Sequence, residues 1–308
     1  MKLSIVATLY KSENYINEFY QRATDSARQL AGDDYEIIFV NDGSPDNSLE
    51  LAVQLTQTDK HIVVIDLSRN FGHHKAIRAG LEHSTGELVF LIDSDLEEEP
   101  EWLISFSEQM NTDKADVIYG VQRKRKGGWF ERWSGALYYR ILNWLIHIDH
   151  PRNITTARLM TRRYVNALLS HKELESVISC LWVITGFNQC SQTVDKHSKN
   201  SSTYGLLKKL SHSVNAVTSF SAAPLYLISI FGFIVFLSSV VYASTLIINR
   251  FLMSVALDGW TSIMVSIWLL GGLIISFIGI IGIYLAKIFS ETKQRPYVII
   301  RNIYGKSD

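Results

Sequence analysis

The chain has 308 residues, enough for one or two domains with a proper core, and its 30 Lys plus Arg balance its 30 Asp plus Glu. With no net charge there is no global field to recruit nucleic acid, which is not expected as a partner. Cys180 and Cys190 make neither a disulfide framework nor a zinc pattern and are read as reduced thiols.

In chain order, MKLSIVATLY carries too short an apolar run for a secretory signal and reads as a first strand. Short β-branched runs recur at Leu3–Leu9, Tyr35–Val40, Ile62–Leu67, Leu88–Ile92 and Val117–Tyr119. Helical patterns separate them over Asn14–Leu30, Ser48–Gln57, His74–His83 and Glu99–Met110. This alternation predicts a parallel sheet with helices on both faces and ligands at the carboxyl ends of its strands. The polar clusters fall at those ends. The first strand runs into Thr8, Tyr10 and Glu13, and the second into Asn41, Asp42, Gly43 and Ser44. The third runs into Ser68, Arg69 and Asn70, and the fourth into Asp93 and Asp95.

Asp93 and Asp95, two apart beyond a buried strand, can both reach one cation, and hard oxygen ligands suit Mg²⁺ or Mn²⁺ bridging to substrate phosphates. Glu98, Glu99 and Glu101 around Pro100 read as the acidic start of a helix and are given no catalytic part. His73 and His74 are read as loop or donor-pocket residues, because adjacent side chains point apart and no third ligand is near in sequence.

After the basic run Arg123–Lys126, WFERWSGALYYRILNWLIH interleaves aromatic residues with arginines, as a helix at a membrane interface does. Leu206, Leu210, Val214 and Val217 repeat at helical spacing. No charged residue occurs from Leu225 to Ile248, nor from Gly259 to Ala286. Each stretch exceeds the roughly 20 residues a helix needs to cross a bilayer. Between them lie Arg250 and Asp258, whereas Lys208, Lys209, Lys287, Lys293, Arg295 and Arg301 flank the pair. That bias predicts a cytoplasmic body and C-terminus.

The motifs VNDGSPDNS, DLSRNFGHHKAIRAG, DSDLEEEPE, RLMTRR and GIYLAKIFSETKQRPY follow one another in this order. With the two apolar spans, the chain resembles the family 2 glycosyltransferases of GT-A fold, and within them the membrane-anchored polyisoprenyl-phosphate glycosyltransferases. Dolichyl-phosphate-mannose synthases and bacterial undecaprenyl-phosphate glucosyltransferases belong to that group. The resemblance implies an α/β, Rossmann-like, mostly parallel cytoplasmic domain followed by two transmembrane helices. The expected division is a catalytic domain over 1–205, an amphipathic juxtamembrane helix over 206–223, a transmembrane hairpin over 224–288 and a cytoplasmic tail over 289–308.

The same resemblance implies a nucleotide-sugar donor, expected to be a UDP-sugar, against Thr8, Tyr10, Glu13, Asp42, Arg69 and Asn70. It puts Mg²⁺ or Mn²⁺ on Asp93 and Asp95, with Glu97 where the family usually has Gln. Arg123, Arg125 and Arg158 would meet the acceptor phosphate. Asp93, Asp95, Thr156 and Arg158 are the expected catalytic set. The chain departs from the pattern at Thr8, Lys11 and Ser12, where Pro and an Asn-Glu pair are usual, and at HSKNSSTY, with His197 for an Arg. In NITTARLM, Thr156 occupies the place of a catalytic Asp.

The expected activity is inverting transfer to polyprenyl (undecaprenyl) phosphate on the cytoplasmic leaflet of a bacterial inner membrane, serving cell-surface polysaccharide or O-antigen modification. The expected partners are the donor, the acceptor, the lipid bilayer and a second copy in a homo-oligomer. The alternatives are extension of a lipid-diphosphate-linked sugar, for which Asp149 or Asp195 would be the surrogate base, and a catalytically inactive membrane partner.

Overall fold

The structure is a computed structural model and describes residues 2–123, 153–171, 178–196, 221–253 and 259–305. Arg125, Asp149, the aromatic stretch after Arg123, the loop from His197 and the Leu206–Phe220 pattern lie outside the described residues.

Eight strands form one sheet in the order β7-β5-β6-β4-β1-β2-β3-β8. The centre is made of β1 (Leu3–Leu9), β2 (Tyr35–Asn41), β3 (Ile62–Leu67) and β4 (Leu88–Asp93), all parallel. Every residue of β1 and β2 is buried, as expected of central strands covered on both faces. The covering helices are α1 (Ile16–Ala31), α2 (Ser48–Thr58), α3 (His73–His83) and α4 (Trp102–Asp113). The α1 helix turns Ile16, Phe19, Ala23 and Ala27 inward at helical spacing, and Phe19 meets Phe39 of β2 edge-on at 5.9 Å between ring centres.

Beyond β4 the sheet becomes mixed. β5 (Val117–Gln122) and β6 (Ile154–Thr161) pair antiparallel, β6 also pairs antiparallel with β4, and β7 (Gln189–Val194) adds parallel to β5. Two helices, α5 (Arg162–Ser170) and α6 (Ile178–Ile184), lie between β6 and β7 in sequence. The mostly parallel sheet is therefore as expected, with an antiparallel strand that brings the RLM segment against β4.

The segment read as a C-terminal tail is part of this sheet. The β8 strand (Ile300–Tyr304) pairs antiparallel with β3, covering an edge that would otherwise be open. It is fastened by side chains: Arg301 lies 3.3 Å from the buried Asp66 carboxylate and donates to the Ser68 carbonyl at 2.7 Å. The Tyr297 hydroxyl donates to Glu82, and the Arg78 guanidinium lies 4.9 Å from the Tyr297 ring centre. Local patterning could not reveal this pairing, because the partner strand lies more than 200 residues upstream.

The described residues divide into two compact units, the second containing 221–253 and 259–294. In that unit, α7 (Ala223–Met253) and α8 (Trp260–Thr292) are long apolar helices. Phe231 meets Phe277 edge-on, and the Tyr284 hydroxyl donates to the Ser221 carbonyl. Among the described residues, Leu269–Thr292 is long and apolar enough to cross a membrane, and Ala223–Val235 is a shorter apolar stretch. Phe233, Tyr242, Ile275, Ile278, Leu285 and Phe289 are all exposed, far more apolar surface than a helix in water presents.

Candidate active site

The site is built on the carboxyl end of β4. Thr8 of β1 sits in register with Asp93, and the Ser94 hydroxyl donates to the Thr8 carbonyl at 2.7 Å. Asp95 then accepts the Glu97 N–H at 2.9 Å, closing a tight turn in which Leu96 takes a left-handed conformation (φ 59°). Such backbone costs a side-chain-bearing residue about 1–3 kcal/mol, which burial of Leu96 in the core offsets. The turn keeps Asp93, Asp95 and Glu97 at one end of the sheet.

Glu98 has no exposed surface, and its carboxylate accepts the N–H groups of Thr156 (3.0 Å) and Ala157 (2.7 Å) on β6. The acidic run is therefore not just a helix start; α4 begins later, at Trp102. Glu98 is the structural anchor of this site that the sequence by itself does not mark. Its neighbours in the chain are acidic and exposed to the same helix-start explanation, and no local signal separates the one carboxylate that turns inward. Lys196, directly after β7, brings its ammonium within 3.3 Å of both Glu97 and Glu98.

Burial raises the Asp93 carboxyl above the ordinary range; a hydrogen bond from the Thr156 hydroxyl opposes that rise and the Asp95 charge adds to it. Burial likewise raises Glu98, helped by the charge of Asp93 and opposed by Lys196. His73, at the start of α3, places Nε2 3.4 Å from Asp93 and Nδ1 3.1 Å from the Thr8 hydroxyl. Desolvation pulls its pKa down, against the pull of the nearby carboxylates, although its side chain is 43% exposed.

Thr156 thus binds Asp93 by its hydroxyl and Glu98 by its backbone. Arg158, two residues on, is 2% exposed and donates to the carbonyls of Thr155 and Thr156, with its guanidinium over the Trp182 ring. Burial depresses Arg158 to about 9, so it remains charged at neutral pH. Two of the Arg158 donors, Nε and Nη2, thus bond to the β6 backbone. Next to this strand lies a cavity of about 180 Å³ lined by His73, His74, Thr155, Thr156, Ser179, Trp182 and three isoleucines. Arg123, at the same end of the sheet, is exposed and donates its backbone N–H to Val194.

On the other flank, Asp42 is buried and accepts the N–H groups of Phe71 (2.7 Å) and Gly72 (3.0 Å), tying the β3–α3 loop to the end of β2. Burial raises its carboxyl pKa against the pull of those two N–H groups. Gly43 (φ 58°) lets that loop approach: a Cβ there would meet the Asn70 nitrogen at 2.4 Å. Arg69 lies over Phe71 and donates to the Asn70 carbonyl. Glu13 accepts the Asn47 N–H and so binds the β1 and β2 loops together. Tyr10 is half exposed, with Lys11 beside its ring. Thr8, Asp42, Arg69 and Asn70 are therefore brought to one end of the sheet with Asp93, while Glu13 serves the loop framework. His74 lines the cavity rather than a metal site, and among the described residues no three His, Cys, Asp or Glu side chains group so as to hold a metal alone.

A largely parallel α/β sheet with a carboxylate pair at the end of a central strand, flanked by loops tied to neighbouring strand ends, presents a ligand crevice beyond the carboxyl ends of its strands. The profile of glycosyl transferase family 2 matches residues 4–169, and the chain belongs to that family and is a glycosyltransferase of GT-A-like fold. It is 49% identical over 305 residues to a Mycobacterium tuberculosis protein described as putative glycosyltransferases, covering 99% of this chain and 89% of that one. It is 29% identical over 305 residues to the bactoprenol glucosyl transferase of Shigella phage SfV, covering 98% and 99%. Among solved structures, a mannosyltransferase from Pyrobaculum calidifontis in complex with GDP-Man and Mn²⁺ superposes with a TM-score of 0.50 at 14% identity, covering 70% of this chain and 62% of that one. That likeness concerns the fold.

Proposed function

We propose that the protein is a membrane-embedded glycosyltransferase that moves a sugar from a UDP-sugar to polyprenyl phosphate on the cytoplasmic leaflet, with inversion. The observation that carries this reading is the strand-end carboxylate pair, Asp93 and Asp95, set between the Thr8 and Asp42 loops and the Thr156 strand. Full-length similarity to bactoprenol glucosyl transferases supports the lipid phosphate as acceptor. Both α7 and α8 span the bilayer in this reading, placing the catalytic unit and the C-terminus in the cytoplasm.

Asp93 and Asp95 offer hard oxygen ligands from a single turn, and these are the residues that would hold Mg²⁺ or Mn²⁺. A divalent cation held there would supply positive charge to offset the charge that builds on the departing diphosphate. The remaining work belongs to the chain. An acceptor phosphate oxygen bonds to the anomeric carbon while the bond from that carbon to the donor diphosphate breaks, its electron pair leaving with the nucleoside diphosphate. Such an oxygen needs no general base, because a phosphate monoester with a second pKa of about 6 is already largely dianionic near pH 7. Threonine in place of an aspartate at 156 is therefore compatible with turnover: its hydroxyl holds Asp93 in place. Glu98 and Arg158 fix the strand carrying Thr156.

The test uses purified full-length protein, radiolabelled nucleotide sugars offered one at a time, and polyprenyl phosphate in competition with a lipid-diphosphate-linked sugar. Transfer to polyprenyl phosphate, with a rate that flattens above the acceptor's second pKa, is expected. Transfer confined to the lipid-linked sugar, with a pH dependence abolished by Asp149→Asn or Asp195→Asn, would overturn the reading.

A further inference from the structure

Lys196 has no part in the assignments above, yet it lies where a cation is most strongly drawn. Its ammonium is 3.3 Å from Glu97 Oε2 and 3.3 Å from Glu98 Oε1, and its side chain is 19% exposed. Asp93 and Asp95 also act on it through their charges. Burial by itself would lower the lysine pKa, but the carboxylates outweigh that penalty and raise it, so the group is an ammonium at any pH near neutrality. One ammonium thus faces Glu97 and Glu98 directly and feels the charges of Asp93 and Asp95 at longer range.

A divalent cation is attracted by the same carboxylates and repelled by the same ammonium, at separations where water screens poorly. The two cannot both enjoy the full field of the cluster. Lysine suits a part that must give way, because its four-carbon stem lets the ammonium swing clear without moving the backbone. Glu98 has no such freedom, being pinned by two backbone N–H groups of β6.

We propose that Lys196 is the built-in counter-ion of this cluster and competes with the divalent cation for it, occupying the cluster when no donor is bound and yielding it when cation and diphosphate arrive together. This inference rests on the reading that Asp93 and Asp95 hold a divalent cation. It makes cation binding weak without donor and strong with it, because the donor's diphosphate gives the displaced ammonium a new anion to face.

The test measures Mn²⁺ binding alone, without nucleotide, to the purified full-length protein in detergent, by electron paramagnetic resonance of free Mn²⁺. Lys196→Met keeps the length of the side chain and removes its charge; it should bind Mn²⁺ at least about tenfold more tightly than wild type. Lys196→Arg keeps the charge and should stay near the wild-type affinity. If the lysine merely organised the turn, Lys196→Met would bind Mn²⁺ more weakly, and that result, or an unchanged affinity, overturns the proposal. Lys196→Gln provides a second neutral variant should Lys196→Met fail to fold. Asp95→Ala in the Lys196→Met background separates the two readings. Loss of Mn²⁺ binding there, with no gain in Lys196→Met itself, sinks the competition but keeps the cation site. Mn²⁺ binding indifferent to Asp95→Ala, or absent from every variant, sinks both.

Discussion

Glu98→Ala is the sharpest test of how the site is held. The carboxylate is fully buried and accepts the Thr156 and Ala157 N–H groups at 3.0 and 2.7 Å, while Lys196 stands at 3.3 Å. Hydrogen bonds to a charged partner are worth about 1.5–3 kcal/mol each, so two give about 3–6 kcal/mol before the burial cost of the charge is subtracted. That cost is real, since burial raises the Glu98 pKa, and it places the net loss near the lower end, about 3 kcal/mol. At roughly 2–4 °C per kcal/mol for a domain of this size, the unfolding midpoint should fall by roughly 6–12 °C. Glu98→Gln keeps one acceptor oxygen and should cost about half as much. The sign of the pH effect follows from the raised pKa. The folded state holds the Glu98 proton more tightly than the unfolded chain does, so this group's contribution to stability grows as pH falls from neutrality to the ordinary carboxylate range. Scanning calorimetry of the metal-free protein between pH 5 and pH 8, buffer values chosen to bracket that range, should therefore show a slope that Glu98→Gln flattens. A Glu98→Ala protein melting within about 1 °C of wild type would refute the claim that this carboxylate carries the Thr156 strand.

Asp95→Ala should abolish transfer while the protein stays folded and membrane-bound, since the lost charge stabilisation is worth several kcal/mol; undiminished turnover in a radiolabel assay would contradict the cation reading. Gly43→Ala should destabilise by about 2–5 kcal/mol and weaken nucleotide binding, because its Cβ would meet the Asn70 nitrogen at 2.4 Å in a backbone with φ of 58°; calorimetry and nucleotide titration check the two effects. Arg301→Ala strips the counter-charge from buried Asp66 and should cost about 2 kcal/mol, less than a fully buried pair because Arg301 is half exposed, as read by denaturant unfolding. A reporter fused after Asp308 should register cytoplasm and a tag near Asp258 the opposite side, and protease protection of the C-terminus in inside-out vesicles would contradict that topology.

Local pattern was enough to define five of the eight strands of the sheet. The runs Leu3–Leu9, Ile62–Leu67 and their companions are strands because β-branched residues bounded by turn signals have few other ways to be buried, and the structure keeps those boundaries nearly unchanged. Strand-end logic likewise located Asp93, Asp95, Thr8 and Asp42, because in a parallel sheet the chain order of motifs places them at one edge. What pattern could not supply was anything made by pairing across the chain. The β6 strand contains Thr156 and Arg158, and β8 lies past two long apolar helices; each becomes a strand through a partner distant in sequence. Nor could pattern distinguish Glu98 from Glu99, or Lys196 from any surface lysine. Those roles depend on which side chain points inward and which charges face it there, and in a buried site these set both the energy and the chemistry. The order of residues determined the fold family and the crevice; tertiary packing decided that Glu98 would anchor the Thr156 strand, that Arg158 would turn inward, and that a lysine would sit among the carboxylates.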